Sequence, residues 1–174
     1  MSAARTEIRR LLPADAALYR DIRLEGLRLR PEAFGSTLAE EGGKPLAWFA
    51  ERLDRSAVFG AFAGAVLVGV AGLFIRSSAK EAHRGVLWGM YVRPEARGAG
   101  LGRRLVEAVL AHARQCVEIV ELRVVIGNEE ARRLYAGLGF VEYGIGKNAM
   151  KEDGRYWDEV LMAKPLLPDQ AAKP

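Results

Sequence analysis

The sequence predicts an α/β protein: one mixed, mostly antiparallel sheet of six to seven strands with helices on both faces. Three observations carry this. Hydrophobic periodicity along the chain reads strand, helix, helix, three strands, helix, strand, helix, strand, strand. The middle of the chain is a strand–helix–strand unit, Val86 to Ile126, whose strands are expected to lie parallel. Short glycine-punctuated segments on either side of it have the spacing of antiparallel hairpins.

The elements follow in order. Thr6 to Leu12 reads as the opening strand, ended by Pro13. Ala14 to Leu29 reads as a helix with Leu18, Ile22, Leu24 and Leu29 among charges, and Pro31 stops it. Pro31 to Gly43 reads as a loop. Pro45 suits the first turn of a second helix reaching Arg55, with Leu46, Phe49 and Leu53 on one face. Ala57 to Ala63 and Ala65 to Arg76 are strands joined tightly at Gly64, and Val86 to Val92 is the next strand. Leu101 to Gln115 is an amphipathic helix with Leu101, Leu105, Ala108, Val109 and His112 on one face. Glu118 to Ile126 is β-branched and strand-like. Asn128 caps a short helix through Leu138, and Gly139 suits the position just past its end. Phe140 to Lys147 and Tyr156 to Lys164 close the fold; 165–174 reads as a tail. The whole chain, 1–174, is expected to form a single domain with its core in about 6–164.

Composition narrows the function. The apolar stretch from Ala61 to Ile75 is broken by Gly64, Gly69 and Gly72, so it reads as strands and not as a membrane span. The N-terminus lacks the apolar core of a signal peptide, and the expectation is a cytoplasmic protein with no membrane contact. Net charge is +4, from 26 basic and 22 acidic residues spread along the chain, with no basic stripe bearing interleaved aromatics; a nucleic-acid partner is not expected. One cysteine, Cys116, and two histidines without ligand spacing leave no disulfide framework and no expected metal site.

The chemistry-bearing stretch is Val92 to Arg104, where a strand enters a basic glycine-rich turn that opens directly into a helix. Successive N–H groups at such a helix start form an anion nest, and Arg93, Arg97, Arg103 and Arg104 lie around it, so a polyphosphate ligand is expected. The turn is not a Walker loop, since Arg103-Arg104 stand where Lys-Ser/Thr would follow, and it lacks Gly-x-Gly-x-x-Gly spacing. A glycine cluster alone is also compatible with a simple tight turn. A second segment, Asn128-Glu129-Glu130-Ala131-Arg132-Arg133-Leu134-Tyr135 running on to Gly139-Phe140, decides between them.

Together the two segments resemble the GNAT superfamily of N-acetyltransferases. Arg97, Gly100 and Gly102 match its Arg/Gln-x-x-Gly-x-Gly/Ala signature. Asn128, Ala131, Leu134, Tyr135, Gly139 and Phe140 match its later pattern, and the element order agrees over about Thr6 to Lys164. The resemblance implies acetyl-CoA as cosubstrate and a sheet splayed at the acetyl-CoA site, between Val86–Val92 and Glu118–Ile126. Backbone groups of Arg97, Gly98, Ala99, Gly100, Leu101, Gly102 and Arg103 would cradle the pyrophosphate. Met90, Tyr91 and Val92 would offer backbone groups to the pantetheine arm, Asn128 would hydrogen-bond the arm, and Ala131 would leave it room. Tyr135 would be the catalytic residue beside the thioester sulfur. A thiolate of pKa near 8.5, if cysteine is the guide, is matched to a phenol of about 10 as proton donor.

A general base is not assigned. The strand Val86 to Val92 holds no carboxylate, and Glu40, Glu41, His83, Glu121, Asp158, Glu159 and a water chain stay open as alternatives. Cys116 reads as a small, partly buried residue with no histidine placed to activate it, and His112 as a packed histidine. Trp48, Trp88 and Trp157 read as core residues that could also line an acceptor pocket. The resemblance implies direct acetyl transfer to a primary amine, of a small molecule or a protein, in a ternary complex; dimers are frequent among similar proteins. The alternative is a non-catalytic acetyl-CoA sensor of the same fold. A nucleotide-phosphate binder is disfavoured by the missing Lys-Ser/Thr pair.

Overall fold

The computed structural model describes residues 6–166. In chain order the elements are β1 (Thr6–Arg10), α1 (Ala16–Leu29), α2 (Leu38–Glu41), α3 (Leu46–Arg55), β2 (Ala57–Ala63), β3 (Val66–Ile75), β4 (Arg84–Val92), α4 (Leu101–Ala113), β5 (Ile119–Val125), α5 (Glu129–Gly137), β6 (Val141–Glu152) and β7 (Arg155–Pro165). The strands form one mixed seven-stranded sheet in the order β1-β2-β3-β4-β5-β7-β6. β4 pairs β5 parallel, while β1–β2, β2–β3, β5–β7 and β6–β7 are antiparallel. The expected fold class is therefore present. The chain divides into two compact units, residues 6–74 with Leu87–Ala111, and Ile75–Val86 with 112–166.

In the first unit β2 and β3 form the expected hairpin, with Ala63 opposite Val66 and Gly64 at φ 62°. One face of this sheet segment buries Leu11, Val58, Phe62, Val70 and Tyr91 with Tyr19, Ile22 and Leu27 of α1 and Phe49 and Leu53 of α3. Tyr19 meets Phe49 edge-on at 6.2 Å. Gly69, next to Val70 on β3, points to the other face, where a Cβ would stand 3.0 Å from Leu105 of α4. There α4 buries Leu105, Val106 and Val109 completely, each contributing about 1.5–3 kcal/mol by removal from water.

The segment expected as a loop, Pro31 to Gly43, contains α2 and a 3-10 turn at Pro31–Ala33. The Thr37 hydroxyl accepts from the Glu40 N–H at 3.2 Å, and the Glu40 carboxylate accepts from the Thr37 N–H at 2.8 Å. This reciprocal cap is readable as Thr-x-x-Glu, but a four-residue helix is too short to show periodicity. Pro45 is the N-cap of α3 and lies just outside the helix.

In the second unit Arg84–Val86 of β4 run parallel to Ile119–Glu121 of β5, and the paired register stops there. Val120, Leu122 and Val124 of β5 and Val160 and Met162 of β7 are buried on one face. Tyr135 of α5 packs edge-on against Phe140 at 5.8 Å. β6 extends to Glu152, past the expected end at Lys147. After a register shift between Gly146 and Met150 its pairing with β7 resumes, so Met150, Lys151, Glu152 and Arg155 of the expected 148–155 connection are in the ladder. Asp153 and Gly154, at φ 48° and 79°, make the tight turn.

As expected, Asn128 caps α5: its side-chain oxygen accepts from the Ala131 N–H at 3.3 Å. Asn128→Ala is expected to cost about 1 kcal/mol, read as a lowering of Tm by roughly 2–4 °C in thermal unfolding.

Candidate functional site

Between β4 and α4 the chain makes a 3-10 turn at Pro94–Ala96, then an extended Arg97, then Gly98 at φ 80° and Gly100 at φ 69°. These left-handed positions cost other L-residues about 1–2 kcal/mol each. A Cβ added at either would meet nothing within 4 Å, so conformation and not crowding selects glycine, and the backbone is open to a ligand. The Arg104 N–H bonds the Gly100 carbonyl at 3.2 Å, closing the first helical turn. The N–H groups of Leu101, Gly102 and Arg103 precede that bond and have no acceptor within α4. Such a start binds anions by its free donors and by the positive end of the helix dipole.

The four arginines expected around this nest are each tethered. Arg97 Nε donates to the Val92 carbonyl at 3.0 Å, which ties the turn to the end of β4. Arg93 pairs with Glu25 at 3.2 Å. Arg104 donates to the Thr6 carbonyl at 2.9 Å. Arg103 pairs with Glu107 at 3.0 Å on the exposed face of α4. Met90 and Val92 are half-buried and Tyr91 is buried, its hydroxyl donating to Glu25 at 2.9 Å. Burial, the hydrogen bond to Glu25 and its negative charge push the Tyr91 phenol up to about 12.

Asn128, Ala131 and Tyr135 all lie on or at the cap of α5 in the second unit. Tyr135 is 5% exposed, and among the described residues its hydroxyl has no hydrogen-bond partner. Burial alone raises its pKa well above the ordinary tyrosine value. The phenol therefore keeps its proton throughout the neutral range and is available as a donor.

The carboxylates left open by the sequence separate clearly by environment. Glu40 is occupied in the cap of α2. Glu41 is buried between two arginines, with Arg23 donating at 2.7 and 2.9 Å and Arg52 at 3.1 Å. Burial would raise its pKa, but the Arg23 hydrogen bonds and the charges of Arg23 and Arg52 outweigh that and lower it to about 2. Glu121 is held by Arg76 and Arg84, which against burial bring its pKa below the usual range. Asp158 is lowered by Lys147 and by the Asn148 N–H, both at 2.8 Å. Glu159 is the exception: buried, 3.7 Å from Arg123, and raised by its burial. His83 is half-buried, and its carbonyl accepts from the Glu118 N–H.

The Arg23–Glu41–Arg52 network is a feature the sequence does not show, because its members lie 18 and 11 residues apart on three helices. Arg52 also covers the rings of Trp48 at 4.9 Å and Trp88 at 4.5 Å, both of which pack against the core of the first unit. Trp157 lies under Arg155 at 5.2 Å. Cys116 corrects an expectation: it is exposed, with Nε2 of the half-buried His112 at 3.7 Å from its sulfur. Residues four apart at a helix end are neighbours, so the histidine does stand beside it. Among the described residues no helix is long and apolar enough to cross a membrane.

The chain is similar to known proteins in fold and in sequence. A structure of a GNAT superfamily phosphinothricin acetyltransferase from Sinorhizobium meliloti, in complex with AcCoA, superposes with a TM-score of 0.81 at 22% identity, over 97% of this chain and 92% of that one. A putative acetyltransferase from Salmonella typhimurium, solved with its cofactor acetyl-CoA, gives 0.80 at 24% identity over 97% and 98%. Both establish the fold. The phosphinothricin N-acetyltransferase of Alcaligenes faecalis is 35% identical over 82 residues, which are 44% of this chain and 40% of that protein. The acetyltransferase (GNAT) family model matches residues 16–140, a stretch that includes both the glycine turn and the Asn128–Phe140 segment. On that match the chain belongs to the GNAT family of acetyltransferases.

Proposed function

We propose that this protein moves the acetyl group of acetyl-CoA to a primary amine by direct attack within a ternary complex. The observation that carries the reading is Tyr135, a buried phenol that holds its proton and has no partner for it among the described residues. The phosphinothricin N-acetyltransferase relative supports nitrogen as the acceptor atom.

Acetyl-CoA, when bound, supplies an acetyl group activated as a thioester. The chain's own residues do the rest. Gly98 and Gly100 bend the backbone so that the first N–H groups of α4 face an anion, which suits a pyrophosphate. Met90, Tyr91 and Val92 present strand backbone to the pantetheine arm. Asn128 spends its side-chain oxygen on the cap, leaving its amide N–H groups for the arm, and Ala131 adds little bulk beside it. Tyr135 donates its proton to the departing sulfur.

Gly100→Val tests the nest. It places a β-branched residue at φ 69° and is expected to raise the acetyl-CoA Kd about tenfold or more by calorimetry. The test of the function is CoA release by the purified protein from acetyl-CoA over a broad amine panel. Release above the acceptor-free rate supports the transferase and names its acceptor class. Tight acetyl-CoA binding with no release from any amine would favour the sensor, in keeping with the absence of a carboxylate on Val86–Val92.

A further inference from the structure

We propose that Glu159 is the general base of this reaction, taking a proton from the ammonium group of the acceptor. The inference rests on the acetyl-transfer reading above. A primary amine at neutral pH is mostly protonated and has no lone pair for attack, so a group must remove that proton near the thioester. Carboxylates saturated by arginines are poor bases, and Glu41 and Glu121 are saturated. Glu40 is spent on a cap and Asp158 on Lys147 and a backbone N–H.

Glu159 differs in kind. It lies on β7 opposite Val125 of β5 on one side and Gly146 of β6 on the other. It is 8% exposed, and its one ion-pair partner among the described residues, Arg123, stands at 3.7 Å, beyond hydrogen-bond distance. The neighbouring strands explain why it stays free. β6 presents Gly146, which has no side chain, and its Lys147 is taken by Asp158. β5 presents Arg123, whose side chain is mostly in solvent and which is the charged group facing Glu159 among the described residues. Val125 is the last residue of β5, three positions before Asn128, and the Ile126 N–H bonds the carbonyl of Asp158. Glu159 is thus placed at the end of the sheet from which α5, with Tyr135, departs.

The proton balance closes. The ammonium gives one proton to Glu159, and its nitrogen forms the bond to the acetyl carbon while the carbon–sulfur bond breaks. The sulfur takes a proton from Tyr135. The second nitrogen proton restores Tyr135, and Glu159 passes its proton to solvent. Net, an ammonium and a thioester become an amide, a thiol and one released proton.

The test compares wild type with Glu159→Gln on an amine active in the panel, between pH 6 and pH 10, with acetyl-CoA binding measured in parallel. At neutral pH the variant is expected to lose about 10²–10⁴-fold in kcat/KM, with the acetyl-CoA Kd unchanged. The deficit should shrink about tenfold per pH unit as free amine replaces ammonium, and should nearly vanish for an acceptor whose amine pKa lies below the assay pH. A deficit that is the same at every pH and for every acceptor, or one below tenfold, would overturn the assignment. If the Gln variant does not fold, Glu159→Asp carries the test. Keeping a carboxylate, it must retain the wild-type pH profile at reduced kcat, and a profile shifted to that of free amine overturns the proposal. Wild-type protein inactive on every amine would instead strike the acetyl-transfer reading on which this one stands.

Discussion

Tyr135→Phe is expected to lower kcat by about 10²–10⁴-fold while leaving the acetyl-CoA Kd within a factor of about two. The substitution removes one oxygen from a ring that packs edge-on against Phe140, so the helix and its packing persist. Among the described residues the hydroxyl makes no hydrogen bond, and no other group is left unpaired when it goes. The expected loss is therefore specific to the step in which sulfur departs. It should also depend on the leaving thiol: with an acyl donor whose thiol is more acidic the variant should recover, because the thiolate then needs no proton. Stopped-flow or steady-state CoA release with two acyl thioesters reads this directly. Equal losses for both donors, or a kcat within threefold of wild type, would remove Tyr135 from the chemistry.

The second large effect concerns stability. Arg23→Met is expected to cost about 3–5 kcal/mol, because it strips the main partner from a buried carboxylate and leaves Arg52 alone with Glu41. Chemical denaturation should show it as a lower midpoint with unchanged slope. Glu41→Gln in the Arg23→Met background should lose less than the sum of the single changes, since no uncompensated charge is then buried. The pH dependence follows with a definite sign. Glu41 has a folded-state pKa of about 2 against an ordinary value of 4.5, so the folded state holds the proton less tightly than the unfolded one. Its contribution, roughly 3 kcal/mol, is fully present above pH 4.5 and is lost as pH falls toward 2. Arg23→Met should flatten that acid limb. A wild-type chain equally stable at pH 6 and pH 3 would contradict the pairing.

Several features are legible in the sequence because they are local. The Val92-to-Arg104 turn needs positive φ, and glycine at Gly98 and Gly100 announces it. The Asn128 cap and the periodicity of α4 and α5 are set by residues three and four apart. The hairpin at Gly64 needs only its own two strands and turn. The short α2 escapes such a reading although its Thr37–Glu40 cap is present, because four residues carry no periodic signal.

What the sequence determined by itself is the order of the elements apart from α2, the glycine turn, the capped helix carrying Tyr135, and through them the family. Only the tertiary structure decided which charges are spent and which are free. Glu41 and Glu159 look alike in a sequence, each an acidic residue following another. One is locked by Arg23 and Arg52, brought from 18 residues before and 11 residues after. The other stands buried beside Gly146 with a single looser ion-pair partner among the described residues, Arg123 at 3.7 Å, on strands that meet only in the folded sheet. A side chain's acidity is set by what surrounds it within a few ångströms, and those neighbours are chosen by long-range pairing.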